Sequence, residues 1–182
     1  MSTKKKRRKR RQEEQRKKKS GSMAFWVIGA ASVLLLGGWF AMQMTKRSVG
    51  TAVTVQAKWH LASRSDPHPP YNSLPPTSGP HMGRRARWGI HQEPIYDELQ
   101  VHNLEDAGVM VQYNCENCDG LIRKLESIVR RYDEHVILAP YPHPRLDRKI
   151  ALTAWGRIDK FDEFDEKRIV KFIEAYKGID HH

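Results

Sequence analysis

Hydrophobic positions follow three regimes along this chain. Residues 1–22 contain almost none, residues 23–44 contain little else, and beyond residue 45 they recur in short bursts separated by polar and proline-rich stretches. The middle regime reads MAFWVIGAASVLLLGGWFAMQM, with no charge and only Ser32 and Gln43 polar. A helix rising ~1.5 Å per residue would cover roughly 33 Å with it, enough for a ~30 Å hydrocarbon core. Trp26 and Trp39 sit toward its ends, where amphipathic rings favour the membrane interface. A transmembrane helix is predicted. The run exceeds the ~7–15 apolar residues of a cleaved signal peptide and lacks an A-x-A-like site, so the anchor is expected to remain. Gly37 and Ala41, four apart, would permit close packing on another helix.

After a linker at 45–50, residues 51–60 (TAVTVQAKWH) alternate enough to predict a strand. Residues 66–87 hold six of the ten prolines in the chain and predict a stiff loop, because proline fixes φ and cannot donate to a ladder. Three β-rich runs follow, 108–113 (GVMVQY), 136–141 (VILAPY) and 150–155 (IALTAW). Between the first two, Leu121, Ile122, Leu125, Ile128, Val129 and Tyr132 recur at helical spacing. After the third, Ile169, Val170, Phe172, Ile173 and Tyr176 do the same, with Asp162 or Asp165 as N-cap and Gly178 as C-cap. The expected fold is α+β or α/β, a small sheet with two packed helices in the order β-α-β-β-α. The first two strands should be parallel through a right-handed crossover, and the short link 142–149 allows an antiparallel third. No solenoid or propeller repeat is visible.

Charge separates the same regimes. The net of +11 suggests a nucleic-acid or anionic-surface binder, until its distribution is read. Residues 1–19 carry twelve Lys/Arg against Glu13 and Glu14, while residues 45–182 carry twenty against nineteen acids. The tail 1–22 is therefore expected to be disordered, cytoplasmic and attracted to anionic lipid, with no nucleic-acid partner needed to account for it. The same asymmetry places residues 51–182 outside the membrane. The expected location is a bacterial inner (plasma) membrane, with the outer domain periplasmic or extracellular.

Residues 71–81 read YNSLPPTSGPH, followed by Trp88-Gly89, by VHNLEDAGV at 101–109, and by Ala154-Trp155-Gly156-Arg157. This succession resembles the bacterial domain-of-unknown-function family 3105 over about residues 51–178. The resemblance implies a secreted or membrane-anchored protein and assigns no activity. Members usually read HNLEHGG, so Asp106 stands here for a histidine and Ala107 for a glycine.

Two of the nine histidines, His81 and His102, lie in those strings. His102 is expected to head the strand that continues to Met110. With Met82, Glu105 and Asp106 close by, the pair forms a candidate metal site for copper or zinc. Imidazole with thioether suits copper, and a carboxylate shifts the preference toward Zn(II) or Cu(II). A shared site would need the two imidazoles within about 10 Å. The alternative is that both rings bond loop carbonyls and hold the proline-rich segment on the sheet.

Cys115-Glu116-Asn117-Cys118 places a C-x-x-C between a strand and a helix. It is expected to form a disulfide, with a structural role favoured over catalysis. The alternative is a redox pair, because a helix N-terminus lowers a thiol pKa, and the arrangement resembles thioredoxin-like sites. None of the motifs G-x-S-x-G, H-E-x-x-H, G-x-x-x-x-G-K-[ST] or G-x-G-x-x-G is present, and the acids between Asp159 and Glu166 read as a helix start. The expected function is a non-enzymatic anchored domain binding a transition metal, with a thiol-disulfide oxidoreductase or an accessory subunit of a membrane complex as alternatives.

Overall fold

The computed structural model describes residues 37–38, 49–115, 117–142 and 146–182. The chain divides into Met1–Thr45 and Lys46–His182, and the architecture below is that of the second unit. The basic tail and all of the apolar run except Gly37 and Gly38 lie outside the described residues. Among the described residues no helix is long and apolar enough to cross a membrane.

Among the described residues of this unit, eight strands and three helices follow one another. They are β1 (Thr51–Ala52), β2 (His60–Leu61), β3 (His81–Met82), β4 (Gly89–Ile90), α1 (Asp97–Glu105), β5 (Val109–Tyr113), α2 (Asp119–Val129), β6 (Val136–Pro140), β7 (Ile150–Ala154), β8 (Arg157–Phe161) and α3 (Glu166–Tyr176). Six strands form one sheet in the order β1-β8-β7-β5-β6-β4, and β2 and β3 form a separate parallel pair. β5 and β6 are parallel through α2, as the strand-helix-strand pattern predicts. β7 runs antiparallel to β5, with Val111 opposite Leu152, so the expected sense of the third strand holds.

Alternation sorts each central strand onto two faces. Val109, Val111 and Tyr113 of β5, with Ile150 and Leu152 of β7, meet Leu125 and Ile128 of α2 and Ile169, Phe172 and Ile173 of α3 in the main core. Met110, Ile137 and Ala139 face the other way, onto Leu104 of α1 and onto Ala86 and Ile95. The Asp165 side chain caps α3 by accepting from Arg168 N at 3.0 Å, which gives the acidic run its structural role.

Four expectations need correction. Residues 51–60 are not one strand. Only Thr51–Ala52 pairs with β8, because beyond Val53 the backbone is served by loop side chains: Ser78 Oγ accepts from Gln56 N at 3.0 Å, and Asn72 Nδ2 donates to Thr54 O at 2.7 Å. The proline-rich loop 66–87 contains β3, which finds its partner in β2. A fourth strand, β8, follows β7 through a turn at Trp155-Gly156, where Gly156 adopts φ +66°. A Cβ on Gly156 would meet Val55 Cγ2 at 2.9 Å, so the hairpin tip approaches too closely for a larger residue. Finally, His102 does not head a strand but sits in helix α1. That helix buries Asp97, Gln100, Asn103 and Glu105 beside Val101 and Leu104, and buried polar residues hide the apolar period that would have revealed it.

Candidate metal centre

Three elements converge on one point. β2 and β3 pair in register His60 opposite His81, and His102 and Glu105, three apart on α1, share a helix face. One ligand atom from each of His60, His81, His102 and Glu105 lies within 4.8 Å of the others. The His81 and His102 ring centroids are 5.1 Å apart, well inside the distance a shared site demands. His60 lies 5.2 Å from His81 and 5.5 Å from His102 by the same measure.

The backbone around His81 is held from several sides. Tyr71 Oη donates to Pro80 O at 2.6 Å, and His81 N donates to Trp59 O at 3.1 Å. The ring stands edge-on to Trp155, centroids 6.3 Å apart. Its Nδ1 lies 2.8 Å from Gly79 O, a carbonyl that can only accept, so Nδ1 carries hydrogen. Nε2 then faces Glu105 Oε2 at 2.8 Å with both groups buried, and one cation, proton or metal, must lie between them. A ring that donates one N–H to a carbonyl and directs the other nitrogen at a shared point is how metal-bound imidazoles are oriented.

Glu105 is the electrostatic centre. Burial raises its pKa, but the hydrogen bond from Lys58 and the charge of His81 act against burial and hold it below its ordinary value. Lys58 Nζ binds Oε1, which leaves Oε2 to the histidines. Burial lowers the His102 pKa, against the raising charges of Asp106 and Glu105, and favours the neutral ring that ligation requires. His102 Nδ1 is buried, lies 3.9 Å from Glu105 Oε2, and has no hydrogen-bond partner among the described residues.

Of the other expected ligands, Asp106 stands one layer out. It accepts from Arg85 Nη1 at 2.8 Å and bonds His182 Nε2 at 2.6 Å; these bonds outweigh its burial and keep its pKa low. The group of four convergent side chains forms without Asp106. Met82 follows His81 in β3, so alternation turns its side chain to the opposite side of that pair. His60 was not legible in the sequence, since it stands twenty-one residues before His81 at no ligand spacing. The spacing His102-x-x-Glu105 would have signalled a shared face had the helix been recognised.

A sequence profile for proteins of unknown function, DUF3105, matches residues 65–181, well over half of the chain. The chain belongs to the DUF3105 family. No curated protein and no solved structure matches it. The DUF3105 match takes in His81, His102 and Glu105 but begins after His60, so three of the four converging side chains lie inside it.

The cysteines occupy a different place. Cys115 follows the end of β5, and Cys118 is the N-cap of α2, with the two sulfurs at bonding distance and the Cα atoms 5.9 Å apart. α1 delivers His102 and Glu105 near the start of β5, so the histidine cluster and the disulfide lie at opposite ends of that strand.

Proposed function

We propose that the domain binds one divalent transition-metal ion, zinc or copper(II), through His60, His81, His102 and Glu105. The observation that carries this reading is the pairing of His81 Nε2 and Glu105 Oε2 at 2.8 Å beside a buried His102 Nδ1 without a hydrogen-bond partner. A proton can serve the first pair and nothing else, whereas a metal ion serves every donor that converges there. Tetrahedral bonds of ~2.0–2.1 Å separate ligand atoms by roughly 3.3 Å, which a cluster already within 4.8 Å reaches by small side-chain rotations. Three imidazoles and a carboxylate suit Zn(II) or Cu(II), and Met82 turned away removes the thioether that would favour Cu(I). Four protein ligands close the coordination sphere, the pattern of a structural or holding site.

In the same reading the domain is carried on the outer face of a bacterial inner membrane by residues 23–44, with the basic tail on anionic lipid in the cytoplasm. The uncharged run and the charge difference across it support this. Protease added to spheroplasts should digest the domain and spare the tail.

Metal analysis and zinc titration of the purified full chain test the centre. One equivalent is expected. Replacing His60, His81 or His102 by Ala should each weaken binding by roughly 100-fold or more, since even outer partners of a ligand contribute 10–100-fold. Met82→Leu should change nothing. Loss of binding in Met82→Leu, or no metal taken up by the unaltered chain, would defeat the assignment.

A further inference from the structure

The disulfide is not explained by stability. It closes a four-residue loop, and the chain-entropy gain from a cross-link grows with the logarithm of loop length, so this bond stands at the low end. The corner is also secured without it. Leu121 N and Ile122 N donate to Cys118 O at 2.8 and 3.1 Å, and α2 is anchored by Leu125, Ile128 and Val129 in the main core. Meanwhile the bond stands open: Cys115 and Cys118 are half-buried, and Asn117, Asp119 and Gly120 beside them are exposed.

Its surroundings are those of a working dithiol. The pair joins β5 to α2 within a parallel β5-α2-β6 unit, the context in which a C-x-x-C acts in thiol–disulfide exchange. β7 and β8 then extend the sheet antiparallel from β5, and α3 packs in the same core cluster as α2. This completes the β-β-α half of the thioredoxin-like arrangement that the sequence resembles. The segment before β7 runs beside the pair, for Asn114 N donates to Lys149 O at 2.9 Å and Asn114 Nδ2 to Leu146 O at 2.7 Å. That gives the disulfide a wall on one side, while on the α2 side the described residues Asn117, Asp119 and Gly120 are exposed.

We infer that Cys115 and Cys118 form a redox-active pair that accepts two electrons from the dithiol of a partner protein, independently of the metal site. The two sulfurs differ. Cys118 is the N-cap of α2 and among the described residues no side chain caps that terminus, so a thiolate there stands at the positive end of the helix, beside the amides of Asp119 and Gly120 that open its first turn. Cys118 is therefore the better leaving group, and an incoming thiolate attacks Cys115. The partner's sulfur bonds to Cys115, the Cys115–Cys118 bond breaks, and Cys118 leaves with the electron pair and takes a proton. The partner's second thiolate attacks its own sulfur in the mixed disulfide and releases Cys115, which is protonated in turn. The partner ends as a disulfide and this chain as a dithiol, with two electrons and two protons transferred.

The test uses the purified full chain in detergent, equilibrated with mixtures of reduced and oxidised glutathione, with free thiols read as mass added on alkylation. The pair should pass from disulfide to dithiol within the range that glutathione spans. Cys118→Ser should hold glutathione on Cys115 as a mixed disulfide, and Cys115→Ser should hold far less. A bond that stays closed in every glutathione mixture and opens only with dithiothreitol is a structural one and overturns the proposal. Equal trapping by the two variants overturns the assigned order of attack. The first readout needs no variant, so a substitution that prevents folding leaves that readout to decide. It also leaves the metal titration unaffected, so failure here is distinct from failure of the metal assignment.

Discussion

The two faces of the central sheet are built from different chemistry. Toward α2 and α3 the sheet presents Val109, Val111, Ile150 and Leu152 to Leu125, Ile128, Ile169 and Phe172, and the buried side chains of that cluster are apolar apart from the hydroxyls of Tyr113 and Tyr176. Toward α1 it buries Gln112 and Thr153 under a helix that itself buries Asp97, Gln100, Asn103 and Glu105. These groups are connected: Gln112 Nε2 donates to Gln100 Oε1 at 2.8 Å, and Gln100 Nε2 to Asp97 Oδ1 at 2.7 Å. Buried polar groups need partners, and burying them contributes less than burying the same area of hydrocarbon. The apolar face supplies the stability of the domain, and the polar face uses part of it to position donors. The histidine cluster stands on the polar side because α1 is where the chain can hold a carboxylate and an imidazole out of water.

The sharpest way to break this division is to excavate the apolar face. Phe172 is fully buried and packs edge-on to Tyr176 with ring centroids 4.9 Å apart. Phe172→Ala should destabilise the domain by about 3–5 kcal/mol, the range for a large aromatic removed from a packed core. Zinc affinity of the molecules that remain folded should be unchanged. Urea unfolding followed alongside zinc titration measures both. A loss below about 1 kcal/mol, or zinc affinity falling in the folded protein, would show that the faces are not separate in function.

On the polar face the corresponding change is smaller in stability and larger at the site. Asn103, fully buried in α1, accepts from Ala86 N at 2.8 Å and donates to Ala86 O at 2.9 Å, tying the end of the proline-rich loop to the helix that carries His102 and Glu105. Asn103→Ala should cost about 1–3 kcal/mol, because it leaves a backbone N–H and a C=O buried without partners. It should also weaken zinc binding by roughly 10-fold, the low end for an outer partner of a metal site. Unaltered zinc affinity with the full stability loss would confine Asn103 to a purely structural role.

Legibility in the sequence follows the same division. β5, β6, β7, α2 and α3 were readable because their buried faces are hydrocarbon, and periodicity reports hydrocarbon. α1 was not, since a helix that buries Asp97, Gln100 and Asn103 shows no apolar stripe. β1 to β4 have two residues each, too few to display a period, and β8 reads RIDKF, with half-buried charges on both of its faces. At the site, the unusual strings exposed His81, His102 and Glu105, while His60 entered only through pairing of two strands twenty-one residues apart. Met82 was singled out by its adjacency to His81, and adjacent residues of a strand face opposite sides.

The smallest effect concerns the turn that leaves α1 for β5. Gly108 N donates to Asn103 O at 2.8 Å, the six-to-one bond of a Schellman turn, and Ala107 occupies the left-handed position with φ +65°. Gly108 itself cannot be enlarged, for a Cβ there would sit 2.3 Å from Asn103 O. The left-handed conformation costs an L-residue about 1–2 kcal/mol, and glycine avoids that cost. Against it stand the ~0.5–1 kcal/mol of extra chain entropy that glycine loses on folding and the burial of the Ala107 methyl group, since that residue is only 5% exposed. At mid-range these terms cancel, with ~0.8 kcal/mol for the methyl group, so Ala107→Gly should leave the stability of the domain within about 0.5 kcal/mol of the parent. Zinc affinity should not change, because the turn already holds Glu105 in place. Paired urea curves check this balance, and a destabilisation beyond about 1 kcal/mol would mean that the buried methyl outweighs the strained backbone.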